Sequence, residues 1–110
     1  MTWIAEQPVV FVWADGRREE GRIAVGMPED TSPRGAACTA ALDGLLPRAI
    51  PIHGGTRLHA LVLAVRFLEL LLEGFTSKGG RVLTLDPRGE VDAFAGIFGS
   101  LRLDLPGLPE

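Results

Sequence analysis

The sequence predicts a single α+β domain in which a curled antiparallel sheet of four to six strands packs against one long helix near residues 56–78. Three observations predict this class. Apolar residues make up 46% and charged residues 23% of the 110 residues, a balance typical of one globular domain. Runs of β-branched and aromatic residues alternate with turn residues, as in sheets. One longer segment repeats its apolar residues at helical spacing.

The first strand is predicted at 8–14, followed by a hairpin. Its residues are apolar on both faces, which indicates an interior position covered on both sides, or one face covered by a partner. Asp15-Gly16 comes next, and this dipeptide is a strong hairpin signal because glycine accepts the positive φ of a type I′ turn. The return strand begins with the charged residues 17–20, so we expect a solvated hairpin tip.

Two more strands are predicted before the helix. Residues 28–35 have loop composition, and residues 36–42 form a third strand. Asp43-Gly44 marks a second turn, and residues 48–53 form a fourth strand. Pro51 cannot donate a ladder hydrogen bond, which places this strand at an edge or at a bulge.

The helix is predicted to start at Thr56, a good N-cap residue, and to end at Gly79-Gly80. One apolar stripe is expected to face the sheet. Apolar residues also lie opposite, and a helix that is apolar nearly all round is usually buried on two sides. Either the tail or another chain would cover the second side. The expected stripe is Leu58, Leu61, Val65, Leu68, Leu72 and Phe75, widened by Ala64 and Leu71, with Leu63, Phe67 and Leu70 opposite.

The C-terminal part completes the predicted domain. A strand is expected at 81–85, a short helix at 90–98 and an edge strand at 101–105. The domain would therefore span residues 1–105, and 106–110 would be a flexible tail.

Composition and charge exclude several classes of function. Cys38 is the single cysteine, so no internal disulfide forms and a reducing compartment is favoured. The net charge is −3 with both signs interspersed, which disfavours nucleic acid as a partner. The longest apolar stretch, 58–72, contains Arg66 and Glu69, so a membrane span is not expected. The start of the chain does not resemble a signal peptide. We predict a cytoplasmic protein without a cofactor or a metal.

Turn glycines, one helix face and a strand cysteine together form a pattern seen in other sequences. The pattern comprises Asp15-Gly16, a charged return arm ending near Pro28, Cys38, Asp43-Gly44, Ile52-His53-Gly54, a helix with Ala60-Leu61, Leu63-Ala64 and Leu68, and Gly79-Gly80. In these residues the chain resembles an uncharacterised bacterial family of small hypothetical proteins, known only as a domain of unknown function. The resemblance covers about residues 9–86. It implies the fold and assigns no functional residue.

The loop from Gly54 to His59 is the most site-like feature of the sequence. Free backbone N–H groups at a helix start, with Arg57 and His59 beside them, are able to hold a phosphate or a carboxylate. The alternative is an ordinary strand-to-helix turn capped by a threonine, and it is favoured. The candidate ligand-binding residues are Gly54, Gly55, Thr56, Arg57 and His59.

Two groups of residues are candidates for contact with a protein partner. One is the densest set of acidic residues in the chain, which suits a basic partner surface. The other is apolar and lies on the side of the helix opposite the expected stripe. The two groups are Asp15, Glu19, Glu20, Glu29 and Asp30, and Phe67 and Leu70.

The sequence supports two hypotheses about function. No catalytic set is evident, which favours a non-enzymatic interaction protein, either an immunity protein that neutralises a basic toxin or a homodimeric accessory protein. The alternative is a domain that binds a small molecule or an anion at the Gly54–His59 loop, with enzymatic activity left open.

Overall fold

The computed structural model describes residues 2–31, 33–86, 89–92 and 97 and contains seven strands and one long helix. The elements are β1 (Trp3–Val12), β2 (Arg18–Gly26), β3 (Glu29–Asp30), β4 (Ala36–Asp43), β5 (Ile50–Gly54), α1 (Arg57–Ser77), β6 (Arg81–Asp86) and β7 (Gly89–Asp92). The predicted α+β class, with a curled antiparallel sheet packed on one helix, is confirmed.

Every strand pairing in the described residues is antiparallel, and the sheet runs in the order β4-β2-β1-β6-β7. Both β3 and β5 pair with β4. Ala36 and Ala37 each pair with a residue of β3 and one of β5, so these two short strands lie on opposite edges of β4. Ala40 pairs with a residue of β2 on one side and a residue of β5 on the other, so β2 and β5 also lie on opposite edges of β4. β3 therefore lies on the same edge of β4 as β2. Only six strands therefore lie side by side.

The β1–β2 hairpin forms as its turn residues predict. Gly16 has a φ of 93° in the turn, where a residue with a side chain would be strained. The Trp13 N–H donates to the Arg17 carbonyl at 2.8 Å and closes the turn. The charged tip is exposed, and β1 is interior between β2 and β6, as expected. β1 starts at Trp3, five residues before the predicted start.

The helix is continuous, with Thr56 as its N-cap and Gly79 in the left-handed region after its end. The face that meets the sheet contains most of the expected stripe: Leu68 and Leu72 are fully buried, and Leu61 and Phe75 pack against the core. Three residues differ. Leu58 and Val65 are exposed, whereas Phe67 packs against the core instead of lying opposite it. The side chains that are fully buried on the helix are Ala60, Ala64, Leu68 and Leu72.

Small side chains explain why alanines of α1 face the sheet while Leu58 and Val65 are exposed. β4 presents Ala36, Cys38 and Ala40 to the helix, and each of them is fully buried. Ala60 and Ala64 face this surface, so the backbones of helix and strand approach closely. Larger residues at these positions would hold the two elements apart. The helical spacing of apolar residues predicted that Leu58 and Val65 would face the sheet, because spacing carries no information on how closely a helix and a strand approach.

Two apolar clusters lie on the two faces of the sheet. The larger cluster lies between the sheet and α1 and includes Phe11 and Val82. The smaller one, on the other face, comprises Val10, Val12 and Leu83. The residues of β1 alternate between the two clusters, which accounts for its two apolar faces.

The C-terminal predictions are corrected in part. Residues 89–92 form β7, an antiparallel partner of β6, where the sequence predicted the start of a helix over 90–98. Pairing with β6 decides the structure of these residues. The predicted strand at 101–105 and the tail at 106–110 lie outside the described residues. Within the ranges described, no helix has the length and apolar character needed to cross a membrane.

Candidate functional site

The Gly54–His59 loop, a predicted anion-binding site, contains two hydrogen bonds of its own. The Gly55 N–H donates to Nδ1 of His59 at 2.9 Å, and the His59 N–H donates to Oγ1 of Thr56 at 3.0 Å. Arg57 lies 3.8 Å from a carboxylate oxygen of Asp30. Two backbone donors of the loop are therefore engaged within the chain, and its cation has a carboxylate nearby.

Gly54 has a packing role in this loop. A Cβ at Gly54 would lie 2.6 Å from the backbone nitrogen of Ala60, closer than real contacts allow. Glycine is needed here because β5 passes against the first turn of α1. The geometry matches a capped strand-to-helix turn, which is the alternative that the sequence favoured.

The candidate acidic residues do not come together. Asp15, Glu19 and Glu20 lie at the hairpin tip, and Glu29 and Asp30 form β3. Eight residues, 21–28, separate Glu20 from Glu29, which corresponds to roughly 30 Å of extended chain at the rise of a strand. All five are exposed, and arginines are interspersed at the tip. The surface they were expected to share is thus two separate patches.

Phe67 and Leu70 also separate. Phe67 is partly buried and packs against the main core. Leu70 is 51% exposed and lines a groove at the C-terminal half of α1. Of the two apolar candidates, Leu70 alone remains available to a partner.

This groove is the most site-like cavity of the described residues. It encloses about 590 Å³, within the range typical of ligand pockets. One wall is the C-terminal half of α1, and the others come from the end of β1 and the turn after β4. Its apolar lining, called the aromatic groove below, consists of Trp13, Leu45, Leu46, Leu70, Leu71 and Phe75.

Two aromatic rings, Trp13 and Phe75, form the floor of the aromatic groove, and Phe11 lies behind them in the core. Trp13 meets Phe75 edge to face at 5.4 Å between ring centroids, and Phe75 meets Phe11 edge to face at 5.8 Å. These are favourable geometries for aromatic pairs. A Cβ at Gly80 would lie 2.6 Å from the Phe75 ring, so glycine is required for the ring to sit there. The floor is therefore tied to the core and to the end of the helix.

The turn after β4 supplies the facing wall. The N–H groups of Leu45 and Leu46 both donate to the carbonyl of Leu42, at 3.0 and 2.7 Å. Gly44 has a φ of 99°, which permits the reversal. The turn therefore holds two leucine side chains, each partly buried, beside α1.

Charged groups of both signs stand at the groove. Asp15 and Lys78 line it directly. The guanidinium of Arg17 lies over the Trp13 ring, 4.1 Å from the ring centroid. The site is thus an apolar cleft with a charged rim, and nothing in it is arranged to activate a nucleophile or to relay a proton.

Sequence reasoning missed most of this groove. Trp13, Leu45 and Leu46 were not among the candidates. The signal was present, because two adjacent leucines directly after the Asp43-Gly44 turn are unusual in a solvated loop. The contact of Trp13 with Phe75 was out of reach, because it depends on the path of the chain between them.

Other chemically interesting residues have structural roles. Cys38 is fully buried and its Sγ donates to the Gly26 carbonyl at 3.2 Å. Burial raises the pKa of the Cys38 thiol, which disfavours the reactive thiolate. In the part of the chain that the structure describes, no three His, Cys, Asp or Glu residues are grouped so as to hold a metal ion.

Comparisons with family models, with curated proteins and with solved structures found no match to this chain. The resemblance to an uncharacterised bacterial family stays a prediction.

Proposed function

We propose that this chain is a non-enzymatic protein-interaction domain that binds its partner through the aromatic groove. The observation that carries the proposal is Leu70, a large apolar side chain that is half exposed inside an otherwise apolar, aromatic-floored cleft. Tryptophan and other aromatic residues are enriched at the energetic centres of protein interfaces. A partner side chain entering this cleft would bury apolar surface on both sides.

Two kinds of partner suit this proposal. One is a second copy of the chain, which would make it a homodimeric accessory protein. The other is a toxin that the chain neutralises as an immunity protein, which needs shape complementarity and no chemistry of its own. We place the domain in the cytoplasm, where a free thiol such as Cys38 remains reduced.

Site-resolved crosslinking tests the proposal. A photo-crosslinking amino acid is introduced at Leu70 in the full chain, and a matched variant carries it at Leu58, which is on the same helix, 70% exposed and outside the groove. We expect one discrete adduct from position 70 in the native cell and none from position 58. Adding Leu45→Lys, which puts a charge in the facing wall, should abolish the adduct.

The mass of the adduct separates the two kinds of partner. Twice the mass of the chain identifies a second copy, and any other mass identifies a different protein. Equal adducts from both positions, or no adduct from position 70, would contradict the proposed function.

A second candidate is a domain that binds a small molecule in the same groove. The volume of about 590 Å³ favours it, because drug-sized ligands occupy pockets of this size. It predicts that a small apolar ligand raises the melting temperature of the purified chain and that Leu70→Lys removes this effect. The Gly54–His59 loop is not part of either candidate, because the N–H groups of Gly55 and His59 already have acceptors within the loop.

A further inference from the structure

Two cations stand at the aromatic groove without a carboxylate of their own. Arg17 lies over Trp13, and Lys78 lines the groove directly. In the described residues, neither side chain makes an ion pair within 4.0 Å, in contrast to Arg22, Arg57 and Arg66. Their charges are therefore available to a binding partner.

The hairpin turn fixes the position of Arg17. Its carbonyl accepts from the Trp13 N–H at 2.8 Å, and its N–H donates to Oδ1 of Asp15 at 2.9 Å. The backbone thus holds Arg17 beside Trp13 before any partner arrives. A cation that is already in place loses less conformational freedom on binding, which favours affinity.

A stacked guanidinium is well suited to bind a carboxylate. When one face of the group lies on an aromatic ring, its N–H donors still point outward in the plane. These donors match the two oxygens of a carboxylate, and the bond is stronger beside an apolar wall than in open water. Arg17 over Trp13 has this arrangement at 4.1 Å.

The sign of the local charge also favours an acidic partner. The chain as a whole has a net charge of −3, whereas two cations and one acid stand at this site. Lys78 and Asp15 line the groove, and Arg17 lies on the lining ring of Trp13. Asp15 is partly compensated, because one of its oxygens accepts the Arg17 N–H. The groove is therefore a locally positive site on an acidic molecule, and a basic segment would meet repulsion there.

We propose that the aromatic groove binds a partner protein segment in which a large apolar side chain is flanked by carboxylates. The apolar side chain enters between Leu70, Leu45 and Phe75, and the carboxylates meet Arg17 and Lys78. This inference rests on the proposed function and specifies the chemistry of the partner. It also reverses the expectation that the partner is basic, because the acidic patches lie away from the groove lining except at Asp15.

Labelled peptides test the charge preference on the purified full chain. The probe is a ten-residue peptide with a central Leu-Phe pair flanked by two glutamates on each side. One control replaces the glutamates with lysines, and a second replaces Leu-Phe with serines. Fluorescence anisotropy measures the Kd of each peptide at low salt. We expect the acidic apolar probe to bind at least about tenfold more tightly than either control.

Variants connect the preference to the two cations. In Arg17→Ala with Lys78→Ala the advantage over the lysine control should fall to about twofold or less, and Asp15→Asn should increase it. Circular dichroism confirms that the variants are folded. A lysine control that binds equally well, a preference that survives the double substitution, or no binding of any peptide at 1 mM would each overturn the inference.

The two proposals remain distinguishable. An adduct at Leu70 together with no charge preference in the peptides would overturn the acidic partner and leave the interaction domain standing. The absence of any adduct, with tight binding of a small apolar molecule, would overturn both.

Discussion

The β1–β2 hairpin carries a tryptophan under an arginine at each end, and the two pairs differ in what surrounds the arginine. Trp3 lies at the open end of the hairpin, and the guanidinium of Arg22, from the middle of β2, lies 4.7 Å from its ring centroid. At the turn, the Arg17 guanidinium lies 4.1 Å from that of Trp13. The same two residue types thus meet twice on one supersecondary unit.

Carboxylates anchor only the first pair. Nε and Nη2 of Arg22 lie 2.9 and 2.8 Å from Oδ2 of Asp43, and Nη1 lies 3.6 Å from Glu6. The pair therefore ties β1, β2 and β4 together across one face of the sheet. Arg17 has no such partner in the described residues and stands at a cleft instead. The comparison teaches that the neighbouring strand, rather than the cation–π pair itself, decides whether such an arginine stabilises the fold or remains available for binding.

The largest expected effect comes from displacing the strand that anchors Arg22. In Gly21→Ala, the new Cβ would lie 1.8 Å from the Asp43 carbonyl oxygen and 2.7 Å from the Phe11 ring. β4 then has to move away from β2, and we expect a loss of about 3 kcal/mol or more in the free energy of unfolding. Urea denaturation followed by circular dichroism measures it.

Gly74→Ala is the matched control for that substitution. No atom lies within 4 Å of a Cβ at Gly74, which is inside α1. The control should raise stability by about 0.5–1 kcal/mol, because alanine favours the helix. A Gly21→Ala protein as stable as the parent would show that β4 does not pack on β2 as described.

A smaller effect separates the two arginines directly. Arg22→Ala removes hydrogen bonds to Asp43 and the contact with Trp3, and we expect a loss of about 1–2 kcal/mol. Arg17→Ala removes only an exposed cation–π contact, worth about 0.5 kcal/mol. The same denaturation assay compares them, and a cycle with Asp43→Asn should show coupling for Arg22 and none for Arg17. Equal losses for both arginines would contradict the distinction between Arg22, which carboxylates anchor, and Arg17, which is available for binding.

Much of the fold follows from the sequence, and the reasons for the exceptions are physical. Asp15-Gly16 and Thr56 act locally, so the hairpin and the start of the helix were predictable from their own residues. The sheet-facing side of α1 was predictable at Leu68 and Leu72. The exposure of Leu58 and Val65 was not, since it depends on the alanines of β4. β7 replaced the start of a predicted helix because pairing with β6 is a tertiary effect.

The candidate site was less predictable than the fold. Leu70 was identified as an apolar residue away from the expected core stripe, and it does line the aromatic groove. The rest of the groove comes from three separate parts of the chain that meet only in the folded protein. The spacing of residues along one segment cannot predict contacts between distant segments. The Gly54–His59 loop is a single short segment, so it was identified as a candidate site, but its internal hydrogen bonds do not favour anion binding.

The smallest expected effect is the pH dependence of the stability that Cys38 contributes. Cys38 donates to the carbonyl of Gly26, which is the register partner of Trp3. Burial raises the pKa of the folded thiol above its ordinary value of 9.0. The unfolded chain therefore loses this proton first, and the contribution of Cys38 to stability is complete below about pH 9 and is lost as the pH rises further.

Denaturation between pH 7 and 10 measures this effect against Cys38→Ala, which lacks the titrating group. We expect the parent to lose stability faster above pH 9, by at most about 1.4 kcal/mol per pH unit. Parallel pH profiles for the two proteins would mean that the thiol is not held in a low-dielectric environment.

The pairing of β1 with β6 has a consequence for the order of folding. Val12 pairs with Arg81, so the two neighbouring strands join regions from near the beginning and near the end of the described chain. Closing so long a loop is entropically costly and slow, whereas the hairpin closes early. Phe75 and Leu70 immediately precede β6, so we expect the cleft to take shape last. During synthesis on the ribosome, the Trp13 ring of the nascent hairpin would then stay exposed to solvent until α1 and β6 emerge.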